Sequence, residues 1–332
     1  MTWQMKVDHW IDSHTFHHSD FADIPRLLDL KQKKELKISL VFPTLNEQDT
    51  IGKEIKIIRD ELQIRYPLID EIAVIDSGST DHTLAIAEQE GARAYLASQI
   101  LPRFGHVRGK GENLWKSLYV IEGDIILWLD ADIKNFNPKF AYGILGPLIE
   151  HDDISYVKAF YERPINYGNR LRSSGGGRVT EILVRPLLSN FYPELSGLLQ
   201  PLSGEYAGRR SVLEELPFRV GYGVEVGLLI DIYERWGLSV LAQVDLDKRV
   251  HRNRRLSDLG KMSFAILHTF FTRLQQQEVI AIDKTLSNYF NAVKARGSKL
   301  LLAREQFSFV ELPPMVSVPE YRKKQGMQKL EQ

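Results

Sequence analysis

Residues Ile125 to Asp132 read IILWLDAD, a run of apolar side chains ending in two carboxylates one residue apart. In extended backbone, side chains at i and i+2 point the same way, so Asp130 and Asp132 can face one ligand. Paired carboxylate oxygens at a strand tip suit Mg²⁺ or Mn²⁺, which also draw ligands from substrate phosphates. The plainer reading is a strand ending in a polar turn, where Asp is common. The neighbouring motifs decide between the two.

Three of them precede DAD. In VFPTLNEQDTI an apolar strand stopped by Pro43 opens into a turn holding Asn46 and Glu47, whose backbone groups and carboxylate could dock a base and ribose; the acidic start of a helix explains the same residues. In VIDSGSTDHT, Asp76 and Ser77 sit at a strand tip, and Gly78 permits a tight turn. In RGKGENLW, Gly109 and Gly111 let the backbone come close, and Lys110 offers a mobile cation for a diphosphate. A lone GKG lacks the spacing of a P-loop and is weak by itself.

Three more follow. GGGRVTE places Gly175, Gly176 and Gly177 before a helix whose first turn carries Arg178, Val179 and Thr180, which describes an anion site better than a flexible linker. GYGVEVGLLIDI sets Glu225 behind a glycine-flexed turn, either to hold sugar hydroxyls or as an exposed helix-start acid. DKRVHRNRR follows a strand; His251 is a candidate metal ligand and Asn253 a neighbour of the substrate, while the arginines read as a solvated face or an anion contact.

The elements that must position these residues alternate. Strands at LKISLVFP, EIAVID, GARAYLA and DIILWLD are separated by helices starting near Ile51, Thr83 and Gly109. That rhythm means βαβ units and a mainly parallel sheet, which binds ligands beyond the carboxyl ends of its strands. The divisions expected are a polar, irregular N-terminal arm over 1–35, a nucleotide-sugar half over 36–150, an acceptor-binding and catalytic half over 151–257, and a C-terminal helical segment and tail over 258–332. In the arm, His14, His17 and His18 match no standard metal spacing and read as solvated; the tail is expected to fray from Glu320.

With 332 residues the chain can bury a large core. Lys+Arg and Asp+Glu both number 43, so nothing global draws it to nucleic acid or an anionic membrane. It has no cysteine, which excludes disulfides, thiolate metal sites and a cysteine nucleophile. No stretch approaches the ~20 apolar residues of a membrane span, so a cytoplasmic protein is expected.

In this order and spacing, PTLNE, DSGSTD, GKGE, LDAD, GGGRVTE, QPLSGEYAGRR, GYGVE and HRN resemble the glucosyl-3-phosphoglycerate synthases, retaining glycosyltransferases of GT-A fold, and the related mannosyl-3-phosphoglycerate synthases. The resemblance runs from about Pro43 to Asn253. It implies that Pro43, Thr44, Leu45, Glu47, Ser77 and Lys110 bind uridine diphosphate, with Asp130 near the ribose. Asp132 and His251 would hold Mg²⁺ or Mn²⁺ on the diphosphate, and Glu225 the donor hexose hydroxyls. Gly177, Arg178, Val179 and Thr180 would grip the acceptor phosphate, with Arg163 and Asn253 near the acceptor. The Leu202 carbonyl would lie beside the anomeric centre. The family is homodimeric, which would use the apolar C-terminal helices.

The implied reaction is hexose transfer from UDP-glucose, or alternatively GDP-mannose, to the C2 hydroxyl of 3-phosphoglycerate. Double displacement needs a nucleophile on the opposite sugar face, and only Glu205 and Glu225 are candidates; front-face attack is the expectation. An inverting transferase acting on a lipid acceptor would usually carry membrane helices, and a nucleotidyltransferase an N-terminal glycine-rich triphosphate loop. Neither feature is present.

Overall fold

The computed structural model describes residues 2–163, 165–167, 170–172, 177–250, 255–297 and 299–326. From the N-terminus run α1 (Trp3–His14), β1 (Thr15–His17), α2 (Ile24–Lys33), β2 (Ile38–Thr44), α3 (Ile51–Ile58), β3 (Glu71–Asp76), α4 (Thr83–Gln89), β4 (Arg93–Leu96), α5 (Lys110–Val120), β5 (Ile125–Trp128) and α6 (Lys139–Glu150). There follow β6 (Tyr156–Glu162), the short pair β7 (Ile165–Tyr167) and β8 (Arg170–Arg172), α7 (Arg185–Phe191), β9 (Tyr206–Arg209), α8 (Arg210–Leu213), β10 (Phe218–Arg219), α9 (Val224–Trp236) and β11 (Leu241–Lys248). The C-terminal part holds α10 (Leu256–Gln276), β12 (Tyr289–Arg296), β13 (Lys299–Gln306), β14 (Glu311–Leu312) and α11 (Pro319–Lys324).

One eight-stranded sheet, in the order β1-β11-β6-β9-β5-β2-β3-β4, organises the chain. Every pairing in it is parallel except those of β9, which runs antiparallel to both β5 and β6. β5 is apolar throughout and β2 nearly so because both faces are covered. Along β5, Ile125 and Leu127 enter a core with Leu40, Phe42 and Ile144, while Ile126 and Trp128 enter the opposite one with Leu114, Val224 and Phe270. Past the strand end, Leu129, Ala131 and Ile133 stay with the first core. The intervening Asp130 and Asp132 are therefore turned away from it, towards the side covered by α5 and α9.

Residues 2–35 form regular elements, contrary to the expectation of an irregular arm. β1 adds a parallel edge strand to β11, and α1 is anchored by Trp10, buried with its indole N–H donating to the Leu241 carbonyl at 2.8 Å. α1 buries only Val7 and Trp10, too narrow a stripe to announce itself, and a three-residue strand is held by its partner. His17 and His18 are not simply solvated. Both approach the Asp247 carboxylate, at 3.0 and 2.6 Å, where Lys139 already supplies a cation. Among the described residues this is where three candidate metal ligands gather, yet the ammonium makes it an ion-paired clasp between the N-terminus, α6 and β11.

The C-terminal segment also departs from expectation. α10 forms, but β12 and β13 pair as an antiparallel hairpin, with Tyr289 opposite Gln306 and Arg296 opposite Lys299. The tail does not fray at Glu320: Tyr321 on α11 is buried, donates to Glu214 at 2.6 Å and accepts from Arg210 at 3.2 Å. Among the described residues no helix is long and apolar enough to cross a membrane.

Candidate active site

Two adjoining cavities open at the carboxyl ends of β2, β3 and β5. One is bordered by Pro43, Thr44, Leu45, Glu47, Ser77, Asn113 and the Gln306–Phe309 stretch. The other is bordered by Arg163, Gly177, Arg178, Val179, Thr180, Leu202, Gly204 and Arg249. Lys110, Asp130, Asp132, Tyr222 and Glu225 belong to both. The acidic strand tip and the Gly177–Thr180 turn thus share one chamber. His251 and Asn253 lie outside the described residues, as do Gly175 and Gly176.

The first cavity has a rigid floor. Buried Asp76 accepts the backbone N–H groups of Gly78 and Ser79 at 2.8 and 2.6 Å, and the Thr44 hydroxyl at 2.9 Å. Asn46 accepts the Thr80 N–H at 2.9 Å, tying the first turn to the second. Ser77 donates to Asn113 at 3.0 Å, and Asn113 donates to the Ile75 carbonyl at 2.7 Å, fixing α5 against the tip of β3. The glycines around Lys110 serve packing of the protein on itself: a Cβ on Gly111 would enter the Arg219 carbonyl, and one on Gly109 would meet the Gly221 backbone.

Lys110 is not mobile. Its ammonium donates to Asp130 Oδ1 at 2.6 Å and to the Gly204 carbonyl at 3.2 Å, and pairs with Glu225 Oε1 at 3.0 Å. Burial opposes its charge, but Asp130 and Glu225 outweigh burial and hold the group above the usual lysine range. It is a fixed cation at the wall between the two cavities.

Arg249, hidden in the basic run DKRVHRNRR, does not sit on a solvated face; it borders the second cavity. Fully buried at the end of β11, it donates to Asp130 Oδ2 at 3.1 Å and to Asp132 Oδ1 at 2.7 Å, and its Nε stands 3.0 Å from Glu205 Oε1 at an angle that makes an ion pair without a hydrogen bond. Glu205 is fully buried, takes the Tyr161 hydroxyl on its other oxygen, and borders neither cavity. Burial raises its carboxyl while Arg249 pulls it down, the net direction being upward. Arg163 donates to the Tyr161 oxygen at 3.1 Å, which ties it to the same network.

Two further buried charges escaped the sequence reading. Glu54 on α3 accepts the Ile133 N–H at 2.9 Å, fixing the turn that follows Asp132; burial pushes its carboxyl well up. Lys158 on β6 donates to the Ser203 carbonyl at 2.8 Å and lies 4.2 Å over the Tyr206 ring, supporting the Leu202–Gly204 turn from below. A lysine within YVKAFYE and a glutamate within an amphipathic helix carry no local signal of burial.

The donor set fits a hard divalent ion. Asp130 and Asp132 are close enough to share one guanidinium, and both border the chamber, so oxygen ligands converge where a diphosphate would complete the coordination.

This fold and site define a glycosyltransferase, and residues 39–217 match the model of glycosyl transferase family 2. The chain is 52% identical to the glucosyl-3-phosphoglycerate synthase of Petrotoga mobilis over 93% of its own length and 95% of that protein's. The structure of mannosyl-3-phosphoglycerate synthase from Rubrobacter xylanophilus superposes with a TM-score of 0.86 at 36% identity, covering 94% of this chain and 97% of the other. Glucosyl-3-phosphoglycerate synthase from Mycobacterium tuberculosis, solved with Mn²⁺, uridine diphosphate and glucosyl-3-phosphoglycerate, gives 0.79 at 40% identity, covering 92% and 99%. The chain belongs to the glucosyl-3-phosphoglycerate synthase family of hexosyltransferases.

Proposed function

We propose that the protein transfers glucose from UDP-glucose to the C2 hydroxyl of 3-phosphoglycerate, retaining the α configuration. One observation carries this reading: the acidic strand tip, the Lys110 ammonium and the Gly177–Thr180 turn border a single chamber. The relatives' substrates, Mn²⁺ among their ligands, support it.

In this reading Pro43, Thr44, Leu45, Glu47 and Ser77 bind the uridine diphosphate part, with Asp130 beside the ribose, and Glu225 holds the hexose. Arg178, Thr180 and the backbone at Gly177 and Val179 take the acceptor phosphate, a charge-assisted contact. Arg163 and Asn253 flank the acceptor. Asp132 and His251 would hold Mg²⁺ or Mn²⁺, which when bound neutralises charge on the leaving diphosphate. Lys110 adds a second positive charge on the same side.

Glu205 makes a poor nucleophile, because both its oxygens are engaged by Arg249 and Tyr161 away from the cavities. The reading therefore takes front-face attack. The bond from C1 to the β-phosphate oxygen breaks with its electron pair going to phosphate, the acceptor C2 oxygen bonds to C1, and a phosphate oxygen takes the acceptor's proton. The Leu202 carbonyl lies beside the reacting centre and aligns attack.

Incubation with UDP-glucose, Mg²⁺ and 3-phosphoglycerate should release UDP only when acceptor is present. Release with GDP-mannose but not UDP-glucose would instead favour the mannosyl activity, which the 36% identical synthase makes the second reading. The reading includes a homodimer, supported by Val293, Leu300, Leu301 and Leu302, all exposed on the hairpin; light scattering at the monomer mass would remove that part. It also includes a cytoplasmic location, since phosphorylated substrates do not cross membranes unaided.

A further inference from the structure

We propose that Arg249 is the resident counter-ion of the metal site: its guanidinium holds the Asp130–Asp132 pair together before metal arrives and, by its charge, opposes binding of the ion to Asp132. The inference rests on the reading of Asp132 as a metal ligand. Four facts support it.

First, Nη2 of Arg249 reaches both carboxylates, at 3.1 and 2.7 Å, so one nitrogen bridges Asp130 and the ion's ligand Asp132. Second, the guanidinium cannot drift off into solvent, being buried, with Nε beside Glu205 and its plane 5.7 Å from the Tyr161 ring centre. Third, carboxylates this close repel each other and need a positive partner. Fourth, Lys110 is on the other oxygen of Asp130, 2.6 Å from Oδ1, so among the described residues the cation on Asp132 is Arg249.

Asp132 has a second oxygen for a metal ion, but a guanidinium 2.7 Å from its Oδ1 would stand beside that ion and repel it. Metal entering without nucleotide would meet this repulsion and gain no phosphate ligands in return. With a diphosphate present, phosphate oxygens would complete the ion's coordination, and their negative charge would offset the guanidinium. The arginine therefore works against metal binding in the nucleotide-free enzyme and couples metal retention to the presence of donor. It is a positioning residue of the ion site, distinct from the groups that touch the sugar.

The test is Mn²⁺ binding followed by electron paramagnetic resonance and calorimetry, with and without UDP, on the wild type, Arg249→Gln, the double variant Arg249→Gln with Glu205→Gln, and Asp132→Asn. The double variant removes both charges of the buried pair and so guards against loss of fold. The expected result is that nucleotide-free Mn²⁺ binding tightens at least tenfold in an Arg249 variant, and that the enhancement of Mn²⁺ binding by UDP shrinks by a similar factor. A merely structural role predicts weaker binding, not tighter. Unchanged or weaker nucleotide-free binding in the folded double variant would overturn the proposal. Full Mn²⁺ binding by Asp132→Asn would instead remove Asp132 from the ligand set, and with it the reading on which the proposal rests.

Discussion

Gly204 and Asp130 stand so close that a methyl group on Gly204 would overlap the Asp130 carboxylate. The turn carrying Gly204 also presents its carbonyl to Lys110 at 3.2 Å. The smallest residue is thus what lets a strand-tip carboxylate and a fixed ammonium pack against one loop. Gly204→Ala should push Asp130 off Lys110, with overpacking costing about 1–3 kcal/mol. A drop of roughly ten- to hundredfold in kcat/KM, with the fold retained by circular dichroism, is the expected result; wild-type kinetics would mean that the Asp130 position is not critical.

Arg178→Ala should raise the KM for 3-phosphoglycerate while leaving that for UDP-glucose nearly unchanged. Loss of a charge-assisted contact costs about 1.5–3 kcal/mol, or roughly ten- to 150-fold. Steady-state kinetics with each substrate varied in turn measures the split, and equal effects on both KM values would move Arg178 out of the acceptor site.

Chelation should abolish turnover, and Mg²⁺ or Mn²⁺ should restore it in the wild type but not in Asp132→Ala. The measurement is UDP release against metal concentration. Recovery of the variant at saturating metal would assign the ion to other ligands.

Burial pushes the Lys158 ammonium down to about 7 from its ordinary 10.5, against the pull of Glu225. Between those values the unfolded chain binds a proton that the folded protein does not. Stability should therefore rise with pH across that window, by roughly 1.4 kcal/mol per unit. Urea unfolding at pH 7.5 and 9.0 should show this gain in the wild type and lose most of it in Lys158→Met. Parallel behaviour of the two would mean that Lys158 is charged in the folded state.

Trp10→Ala should destabilise the fold by about 3–5 kcal/mol through the emptied site alone, even though it lies in the segment that reads as an irregular arm. Denaturant unfolding gives the number. A change below about 1 kcal/mol would mean that α1 contributes little to holding β1 on the sheet.

The parallel sheet was legible because each βαβ unit writes its pattern locally, as β5 does in an apolar run that ends on Asp130. The site motifs on strand tips were legible for the same reason. Arg249, Glu205, Glu54 and Lys158 were not: each is a charge whose burial depends on partners far along the chain, as when β9 slots antiparallel between β5 and β6. The 289–306 hairpin was misread as helix because its register is set by cross-strand pairing, while apolar residues such as Leu286, Phe290 and Val293 fall at spacings a helix would also use. β1 failed for the opposite reason, having too few residues to carry any period.

The partition made by Lys110, Asp130 and Glu225 has a kinetic corollary. Because one set of side chains faces both compartments, evolution or engineering cannot retune affinity for one reactant there without disturbing the other. If the proposed roles hold, selectivity for a new acid is to be sought at the far rim, around Arg178 and Thr180, and selectivity for a new base at the opposite rim, around Leu45 and Ser77.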